Sequence, residues 1–355
     1  MRFRHPVIGG LLLALLVGPA LAQITILDTA QDRVNGAPGT QSPAPAAVPE
    51  TPVAPAPPPP CGTQNMTIAR MSWPSASLLA EIHARLLSQE FGCEARVVPG
   101  DLAATASSMG STGQPAVAPE MWVTRIADVW NGAIQTQMLR SAAPTFAEAT
   151  TEGWFIPAYM QGAFSGTASA AALQPLLSTQ TSETPVRFIS CPLDWACSVI
   201  NRNLIKAYGL TDLLQVVEPA NRFEMDTLIA EAVSRHENFF FYYWQPNAVL
   251  AQLDFRPLDM GGYDEEAMKC LALLSCAAPK PSAFPAEMIV VAVSEWVFAE
   301  APAVASYLQR ATMPVGEMDR LLAQLNEPGA TVEDVAARFV ARRGDLWRKW
   351  TGSAP

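Results

Sequence analysis

RFISCPLDWACSVINRN, residues 187–203, is the stretch that indicates the fold of this chain most directly. It starts with a short apolar run that Cys191 and Pro192 interrupt, and an amphipathic run begins at Ala196. This order predicts a strand, a turn and a helix. Cys191 and Cys197 flank Trp195, so a disulfide between them would close the turn.

The predicted turn offers two features that a ligand could use. The first N–H groups of a helix have no acceptor within the helix, and together with the helix dipole they attract anions. Trp195 adds a large aromatic face beside them. This combination suits a small zwitterion that carries a carboxylate and a bulky cation. A disulfide-closed turn around a core tryptophan accounts for the same residues equally well.

Composition limits the class of protein. The chain has 355 residues, 50% of them hydrophobic, and a formal net charge of −10 at pH 7. This length is typical of about two domains. An acidic chain without a basic cluster argues against a nucleic-acid partner.

The N-terminal part has the composition of a targeting segment followed by a linker. Arg2 and Arg4 precede an apolar run from Val7 to Val17, and a small-residue cleavage site ends at Ala22. This pattern predicts a signal peptide over residues 1–22 and a periplasmic protein. Residues 23–60 are rich in proline and alanine, which predicts a disordered linker.

Six cysteines follow the predicted cleavage site, and an even number in a secreted chain predicts disulfides. Two pairs are each six residues apart and close most simply on themselves, which leaves the other two to pair: Cys191 with Cys197, Cys270 with Cys276, and Cys61 with Cys93. Zinc is the alternative, but no Cys-x-x-Cys spacing occurs. The histidines after the signal peptide are His236 and His83, and we expect His83 to be exposed on a helix. We therefore expect neither a metal nor a cofactor.

Strands and helices alternate from Cys61 onward. Residues 66–71 predict a strand, the apolar stripe after Pro74 predicts a helix that ends at Gly92, and residues 94–98 predict a second strand. Later apolar runs predict strands at 116–123, 238–244 and 287–293. This alternation is typical of an α/β fold with largely parallel sheets.

Tryptophans mark one edge of these sheets. Trp73, Trp122 and Trp244 come at the carboxyl ends of predicted strands, and Trp195 follows another. Open α/β sheets bind ligands at that edge. Converging aromatic faces suit a quaternary ammonium group, which donates no hydrogen bond and is held by cation–π contacts. Packing in the core is the alternative for each tryptophan, and Glu120 could either place negative charge near a cation or be a hydrogen-bonded strand end.

Enzyme motifs are missing from the sequence. The chain contains no Gly-x-Ser-x-Gly, His-Glu-x-x-His, P-loop or Gly-x-Gly-x-x-Gly segment. A secreted enzyme would need a nucleophile and a base in the cleft, and we identify no such pair. We therefore expect a binding protein without catalytic residues.

Four segments resemble, in order, segments of one protein family: EMW at 120–122, GWFIPAY at 153–159, CPLDWAC at 191–197 and YWQP at 243–246. The family comprises the substrate-binding proteins of ABC importers for glycine betaine, proline betaine and related osmoprotectants. The resemblance covers roughly residues 66–350. Asn247 departs from it, because many relatives carry His after the Trp-x-Pro segment.

The resemblance implies an α/β periplasmic-binding-protein fold of type II, with two lobes and the ligand cleft between them. It also implies that the second lobe is an insertion into the first. We place lobe 1 at residues 61–155 and 254–355, and lobe 2 at residues 156–253.

The ligand-binding residues that the family implies are aromatic walls and backbone amides. In this chain they correspond to Trp122, Trp195 and Trp244 for an aromatic box, Ala196 and Cys197 for the amides, and Trp73 and Trp154 as further walls. We find no basic side chain at these motifs, which leaves the amides as donors to a carboxylate.

The expected function is capture of a quaternary-ammonium osmolyte such as glycine betaine and its delivery to an ABC permease in the inner membrane. A choline or carnitine binder of the same fold is one alternative. A solute sensor that reaches a membrane partner through the linker is another.

Overall fold

The computed structural model describes residues 59–179 and 185–353. The predicted signal peptide (1–22) and all of the predicted linker (23–60) except its last two residues lie outside the described residues. Within the described ranges, no helix combines the length and the apolar character that crossing a bilayer requires.

Ten β-strands of the described ranges form two sheets of five strands each. The strands are Thr67–Arg70 (β1), Arg96–Pro99 (β2), Val117–Trp122 (β3), Leu139–Pro144 (β4), Glu152–Pro157 (β5), Val186–Ile189 (β6), Leu214–Val217 (β7), Phe239–Trp244 (β8), Phe255–Pro257 (β9) and Ile289–Ser294 (β10). The first sheet has the order β2-β1-β3-β10-β4 and the second the order β7-β6-β8-β5-β9.

Helices connect the strands and follow the last of them. In the described ranges they are Pro74–Phe91 (α1), Leu102–Thr112 (α2), Ala127–Gln135 (α3), Leu173–Ser178 (α4), Ala196–Ala207 (α5), Arg222–Ser234 (α6), Ala248–Gln252 (α7), Glu265–Leu271 (α8), Glu295–Glu300 (α9), Pro302–Leu308 (α10), Val315–Leu325 (α11), Val332–Arg342 (α12) and Gly344–Thr351 (α13).

Each sheet has its own apolar core, which confirms the α/β architecture with two lobes. Successive residues of a strand point to opposite faces, so Ile68 and Val117 pack on one side of the first sheet, whereas Ala69 and Ala118 pack on the other. The second sheet packs in a separate cluster that includes the aromatic run of β8.

Both sheets are mixed, whereas the sequence predicted largely parallel ones. β1 pairs in parallel with β2 and β3, and β6 with β7 and β8. β10 is antiparallel to β3 and β4, and β5 is antiparallel to β8 and β9. β5 and β10 are the first strands after the chain passes from one sheet to the other. Neither is joined to an adjacent strand of its own sheet by a single crossover helix, so the alternation of strands and helices does not report their direction.

The second sheet extends beyond the residues predicted for lobe 2 (156–253). β5 begins at Glu152, and β9 lies after the predicted boundary. Met268 and Leu271 of α8 and the nearby Phe284 also pack in the core of the second sheet. We propose that lobe 2 extends from Glu152 to about Phe284 and that lobe 1 consists of the globular residues on either side.

The strand, turn and helix predicted for residues 187–203 are present. β6 ends at Ile189, and α5 runs from Ala196 to Ala207. Gly209 follows with φ +68°, a left-handed conformation that favours glycine after a helix. The turn between strand and helix therefore has the position that the sequence indicated.

The three disulfides predicted from spacing are confirmed. Cys61–Cys93, Cys191–Cys197 and Cys270–Cys276 have Cα–Cα distances of 5.5, 6.2 and 5.1 Å. Cys61–Cys93 joins the residues before β1 to those after α1. The loop closed by Cys270–Cys276 is held against α5, because the Asn203 side-chain amide donates to the carbonyls of Leu271 and Leu273, both at 2.9 Å.

His83 is buried, and the expectation that it is exposed was wrong. It follows Leu79 by four residues on α1, so it shares the apolar face that packs on the first sheet. Its Nδ1 lies 2.6 Å from the Tyr307 hydroxyl. Burial lowers the pKa of the His83 imidazole to about 4, so the ring is neutral at physiological pH.

Candidate functional site

A cavity of about 940 Å³ is lined by residues of both lobes. Six of the seven residues predicted to bind ligand line it: Trp73, Trp122, Trp195, Ala196, Cys197 and Trp244. The first two belong to the first lobe and the other four to the second. The tertiary structure thus collects tryptophans that lie up to 171 residues apart in the sequence (244 − 73).

Trp154 is the predicted wall that does not line the cavity. It is fully buried in β5, where its ring centroid lies 4.9 Å from that of Phe188. Its indole N–H donates to Asn201 Oδ1 at 2.8 Å, and the Asn201 amide donates to Ser190 Oγ at 2.9 Å. Trp154 therefore supports the turn that carries Trp195.

Glu120 connects the two tryptophans of the first lobe. Trp122 is the last residue of β3, and Trp73 directly precedes α1. Their indole N–H groups both donate to Glu120 Oε1, at 2.7 Å from Trp73 and 2.9 Å from Trp122, and Ser75 Oγ donates to the same atom at 2.9 Å. One carboxylate oxygen therefore orients two walls of the cavity. Of the two roles considered for Glu120, the hydrogen-bonded one is observed.

The environment of Glu120 changes its acidity. Burial raises the pKa of the Glu120 carboxyl to about 7, against the hydrogen bonds from Trp122, Trp73 and Ser75 and the positive charge of Arg125. Its second oxygen, Oε2, is buried and accepts no hydrogen bond from the described residues. The Glu120 carboxyl, which accepts hydrogen bonds from Trp73 and Trp122, thus changes charge near neutral pH.

The second lobe contributes its own aromatic pair. Trp244 ends β8, and Trp195 is the N-cap residue of α5. Their ring centroids lie 5.5 Å apart with an angle of 63° between the planes. Such edge-to-face contacts are a preferred arrangement of aromatic rings. Tyr243 supports Trp244 from within β8, with ring centroids 4.9 Å apart.

The N-terminus of α5 lies at the cavity. Ala196 and Cys197 line it, and within the described part of the chain their N–H groups have no acceptor. The first turn of the helix contains no acidic residue. A carboxylate placed there would meet two N–H donors and the positive end of the helix dipole.

Asn247 lines the cavity and also links the lobes. Its side-chain oxygen caps α7 by accepting from the Val249 N–H at 3.3 Å, and the Tyr243 hydroxyl lies 2.8 Å from the same oxygen. The Asn247 N–H donates to Asp319 Oδ1 at 2.6 Å. Asp319 belongs to α11, which follows β10 of the first sheet, and burial raises the pKa of its carboxyl to about 6. Asn247 therefore holds the end of the Trp244 segment against the first lobe.

Four charged side chains that the sequence analysis did not identify also line the cavity: Arg125, Glu152, Arg222 and Glu287. Arg125 and Arg222 lie outside the four motifs, so the cavity has basic side chains that the motifs do not contain. Arg125 follows Trp122 by three residues, and Glu152 directly precedes the Gly153 motif. Position beside a motif at a strand end was the signal that could have identified both.

The charged side chains form two groups. Arg125 Nε donates to Glu287 Oε1 at 2.9 Å, and Arg125 Nη2 lies 3.8 Å from Glu152 Oε2. Arg222 pairs with Asp226 at 3.0 Å. Because each arginine is paired with carboxylates, neither contributes an isolated positive charge to the cavity.

Residues 64–342 match the sequence profile of the family described as the substrate binding domain of ABC-type glycine betaine transport systems, OpuAC. The match covers more than three quarters of the 355 residues. Among curated proteins, no sequence matches the chain.

Solved structures with the same fold include three binding proteins. Lactococcal OpuAC, in a closed conformation with glycine betaine, has 15% identity and a TM-score of 0.54 over 81% of this chain and 100% of that chain. An ABC-transporter choline-binding protein in complex with choline has 15% identity and a TM-score of 0.52 over 83% and 93% of the two chains. YehZ of Escherichia coli, without ligand, has 16% identity and a TM-score of 0.55 over 80% and 100%. These similarities confirm the predicted two-lobed binding-protein fold.

Proposed function

The chain belongs to the family of substrate-binding domains of ABC-type glycine betaine transport systems, and on that premise we propose that it captures a quaternary-ammonium osmolyte such as glycine betaine and delivers it to an ABC permease. Members of this family are solute-binding proteins of transport systems. The proposed role is therefore binding and delivery, without a chemical step. Three disulfides fit a compartment outside the cytoplasm, and we place the protein in the periplasm.

The observation that carries this proposal is the presence of four tryptophans in one cavity: Trp73, Trp122, Trp195 and Trp244. A trimethylammonium group has no N–H to donate, so its recognition depends on aromatic faces and nearby negative charge. Each desolvated face contributes roughly 1–2 kcal/mol to binding of such a cation. Two tryptophans from each lobe would allow the cation to hold the lobes together.

The carboxylate of a betaine needs hydrogen-bond donors in the same cavity, because an unpaired buried charge costs more free energy than the aromatic faces supply. We assign this role to the N–H groups of Ala196 and Cys197 at the start of α5, which find no acceptor among the described residues. The Cys191–Cys197 bridge supports the assignment, because a closed turn reduces the ordering cost of binding.

A choline or carnitine binder is the second candidate, and the acidic side chains of the cavity favour choline in particular. Glu152 and Glu287 both line the cavity. A ligand that has no carboxylate of its own, such as choline, would be balanced by such side chains. The similar fold of a choline-binding protein is consistent with this candidate.

Isothermal titration calorimetry of the purified protein against glycine betaine, proline betaine, choline and carnitine distinguishes the two candidates. We expect the betaines to bind most tightly. Tighter binding of choline would favour the second candidate, and absence of binding by all four ligands would contradict the proposed function.

The aromatic box is tested by Trp122→Ala, Trp195→Ala and Trp244→Ala. Each should weaken binding about tenfold or more, since 1.4 kcal/mol corresponds to a factor of ten. Trp296→Ala is the matched control, because Trp296 is partly buried and donates to the Gly113 carbonyl at 3.0 Å but does not line the cavity. If all three variants bind as tightly as the control, the box is wrong.

A further inference from the structure

The Arg125 guanidinium lies over the ring of Trp122, one of the tryptophans that line the cavity. Arg125 lies in the short 3₁₀ helix Val123–Ile126 that directly follows β3. Its guanidinium carbon Cζ is 4.4 Å from the centroid of the Trp122 ring. This distance is well within the range of about 6 Å over which a cation is attracted to an aromatic face.

Two carboxylates complete the surroundings of the Arg125 guanidinium. Glu287, in the segment that leads back into β10, accepts from Arg125 Nε at 2.9 Å. Glu152, the first residue of β5, has Oε2 at 3.8 Å from Arg125 Nη2, and its Oε1 accepts from the Tyr242 hydroxyl at 2.5 Å. An aromatic face with two carboxylates is a binding site for a cation, and a side chain of the protein fills it.

The site has little room for a second cation. Only 8% of Trp122 is exposed, so most of its ring is already covered. The Glu287 side chain is 9% exposed, and its Oε2 is buried without a hydrogen-bond partner among the described residues. A ligand cation that approaches Trp122 must therefore compete with the guanidinium of Arg125.

We propose that Arg125 is the resident cation of the subsite formed by Trp122, Glu152 and Glu287, and that it determines specificity because a ligand cation must displace it. The inference rests on the proposed function. Once displaced, the guanidinium remains tethered next to the subsite. There it attracts the carboxylate of a betaine, whereas to choline it presents only a like charge. Arg125 thus selects against cations that carry no carboxylate.

Calorimetric titration of Arg125→Met with choline and with glycine betaine tests this role. Met keeps an unbranched apolar side chain and removes the charge. We expect the Kd for choline to fall by about threefold to tenfold, and the Kd for glycine betaine to fall less or to rise. Choline binding that is unchanged or weaker in Arg125→Met would overturn the proposal.

Arg140→Met is the matched control. Arg140 has a similar arrangement outside the cavity, with Cζ 3.6 Å from the Phe298 ring centroid and Nη2 2.8 Å from Glu295 Oε1. The Arg140→Met variant should keep the wild-type ratio of choline affinity to glycine betaine affinity. Arg125→Lys, which keeps a positive charge on the tether, should also stay close to the wild-type ratio. A Lys variant that behaves like the Met variant would show that displacement of a charge is not the cause.

The outcomes separate this inference from the function on which it rests. Wild-type protein that binds none of glycine betaine, proline betaine, choline and carnitine would refute the proposed function, and the inference with it. Wild-type protein that binds glycine betaine, together with an unchanged selectivity in Arg125→Met, would refute only the role of Arg125. Thermal unfolding of each variant checks that the comparison is made on folded protein.

Discussion

Replacing Glu120 by Gln should change how the stability of the protein depends on pH. Gln keeps a carbonyl oxygen that can accept from the indole N–H groups of Trp73 and Trp122, as Glu120 Oε1 does at 2.7 and 2.9 Å. It cannot ionise. The variant therefore separates the charge of Glu120 from its hydrogen bonds.

The magnitude follows from the pKa of the Glu120 carboxyl, which burial raises from 4.5 to about 7. Because the pKa is higher in the folded state, folding is favoured most below about pH 4.5, and this stability is lost as the pH rises through about 7. One pKa unit corresponds to about 1.4 kcal/mol, so the full loss is about 3 kcal/mol in the free energy of unfolding. Most of it falls between about pH 5 and about pH 8.

Urea unfolding at a series of pH values measures this loss, with tryptophan fluorescence and circular dichroism as independent probes of a two-state transition. The free energy of unfolding of Glu120→Gln, relative to wild type, should increase by about 2–3 kcal/mol between about pH 5 and about pH 8. Ser75→Ala removes one hydrogen-bond donor from the Glu120 carboxylate. The pH at which half of the stability loss has occurred should therefore be higher in this variant than in wild type. If the difference in free energy of unfolding between wild type and Glu120→Gln stays constant with pH, the raised pKa of Glu120 is refuted as the cause.

The same carboxyl should respond to ligand. A cation held by Trp73 and Trp122 favours the ionised form of Glu120, so binding near pH 7 should release protons from the wild-type protein. The binding enthalpy of wild type should then depend on the ionisation enthalpy of the buffer. The enthalpy of the Glu120→Gln variant should depend on it less.

Two other predictions concern the turn before α5 and the core of the first lobe. Replacing Cys191 and Cys197 together by Ser should weaken binding of glycine betaine more than binding of choline, because only the betaine places a carboxylate on the amides that the bridge holds in position. Equal losses in paired titrations would leave the bridge with a structural role alone. Burial lowers the pKa of His83 from 6.5 to about 4, so its contribution to stability is complete above about pH 6.5 and decreases as the pH falls through about 4, by about 3 kcal/mol in total. Urea unfolding of wild type and of His83→Gln between about pH 4 and about pH 6.5 should show this loss of stability in wild type only. Free energies of unfolding that change with pH in the same way for both proteins would contradict the prediction.

The local elements could be predicted because their causes lie close together in the sequence. The strand, turn and helix around Trp195 follow from a short apolar run, a Pro, two cysteines and an amphipathic repeat within residues 187–203. The disulfides Cys191–Cys197 and Cys270–Cys276 follow from a separation of six residues, and the long one follows as the remaining pair. Such features depend on neighbours along the chain, which the sequence contains explicitly.

The arrangement of the sheets required the tertiary structure. β5 and β10 have the apolar composition of strands, but their antiparallel insertion follows from how the chain passes between the lobes. The position of His83 is a similar case. Its place on α1 is clear from the sequence, whereas the partner that satisfies it, Tyr307, lies 224 residues away.

Some features of the candidate site also follow from the sequence, and others required the tertiary structure. The sequence alone determined that tryptophans end several strands and that a helix begins beside Trp195, because strand ends and helix starts are local properties. Only the tertiary structure decided that Trp154 is a core residue, that Glu120 holds two tryptophans through one oxygen, and that Arg125 covers the face of Trp122. The reason is physical: burial, charge pairing and pKa depend on distances between residues that folding brings together, and spacing along the chain does not contain those distances.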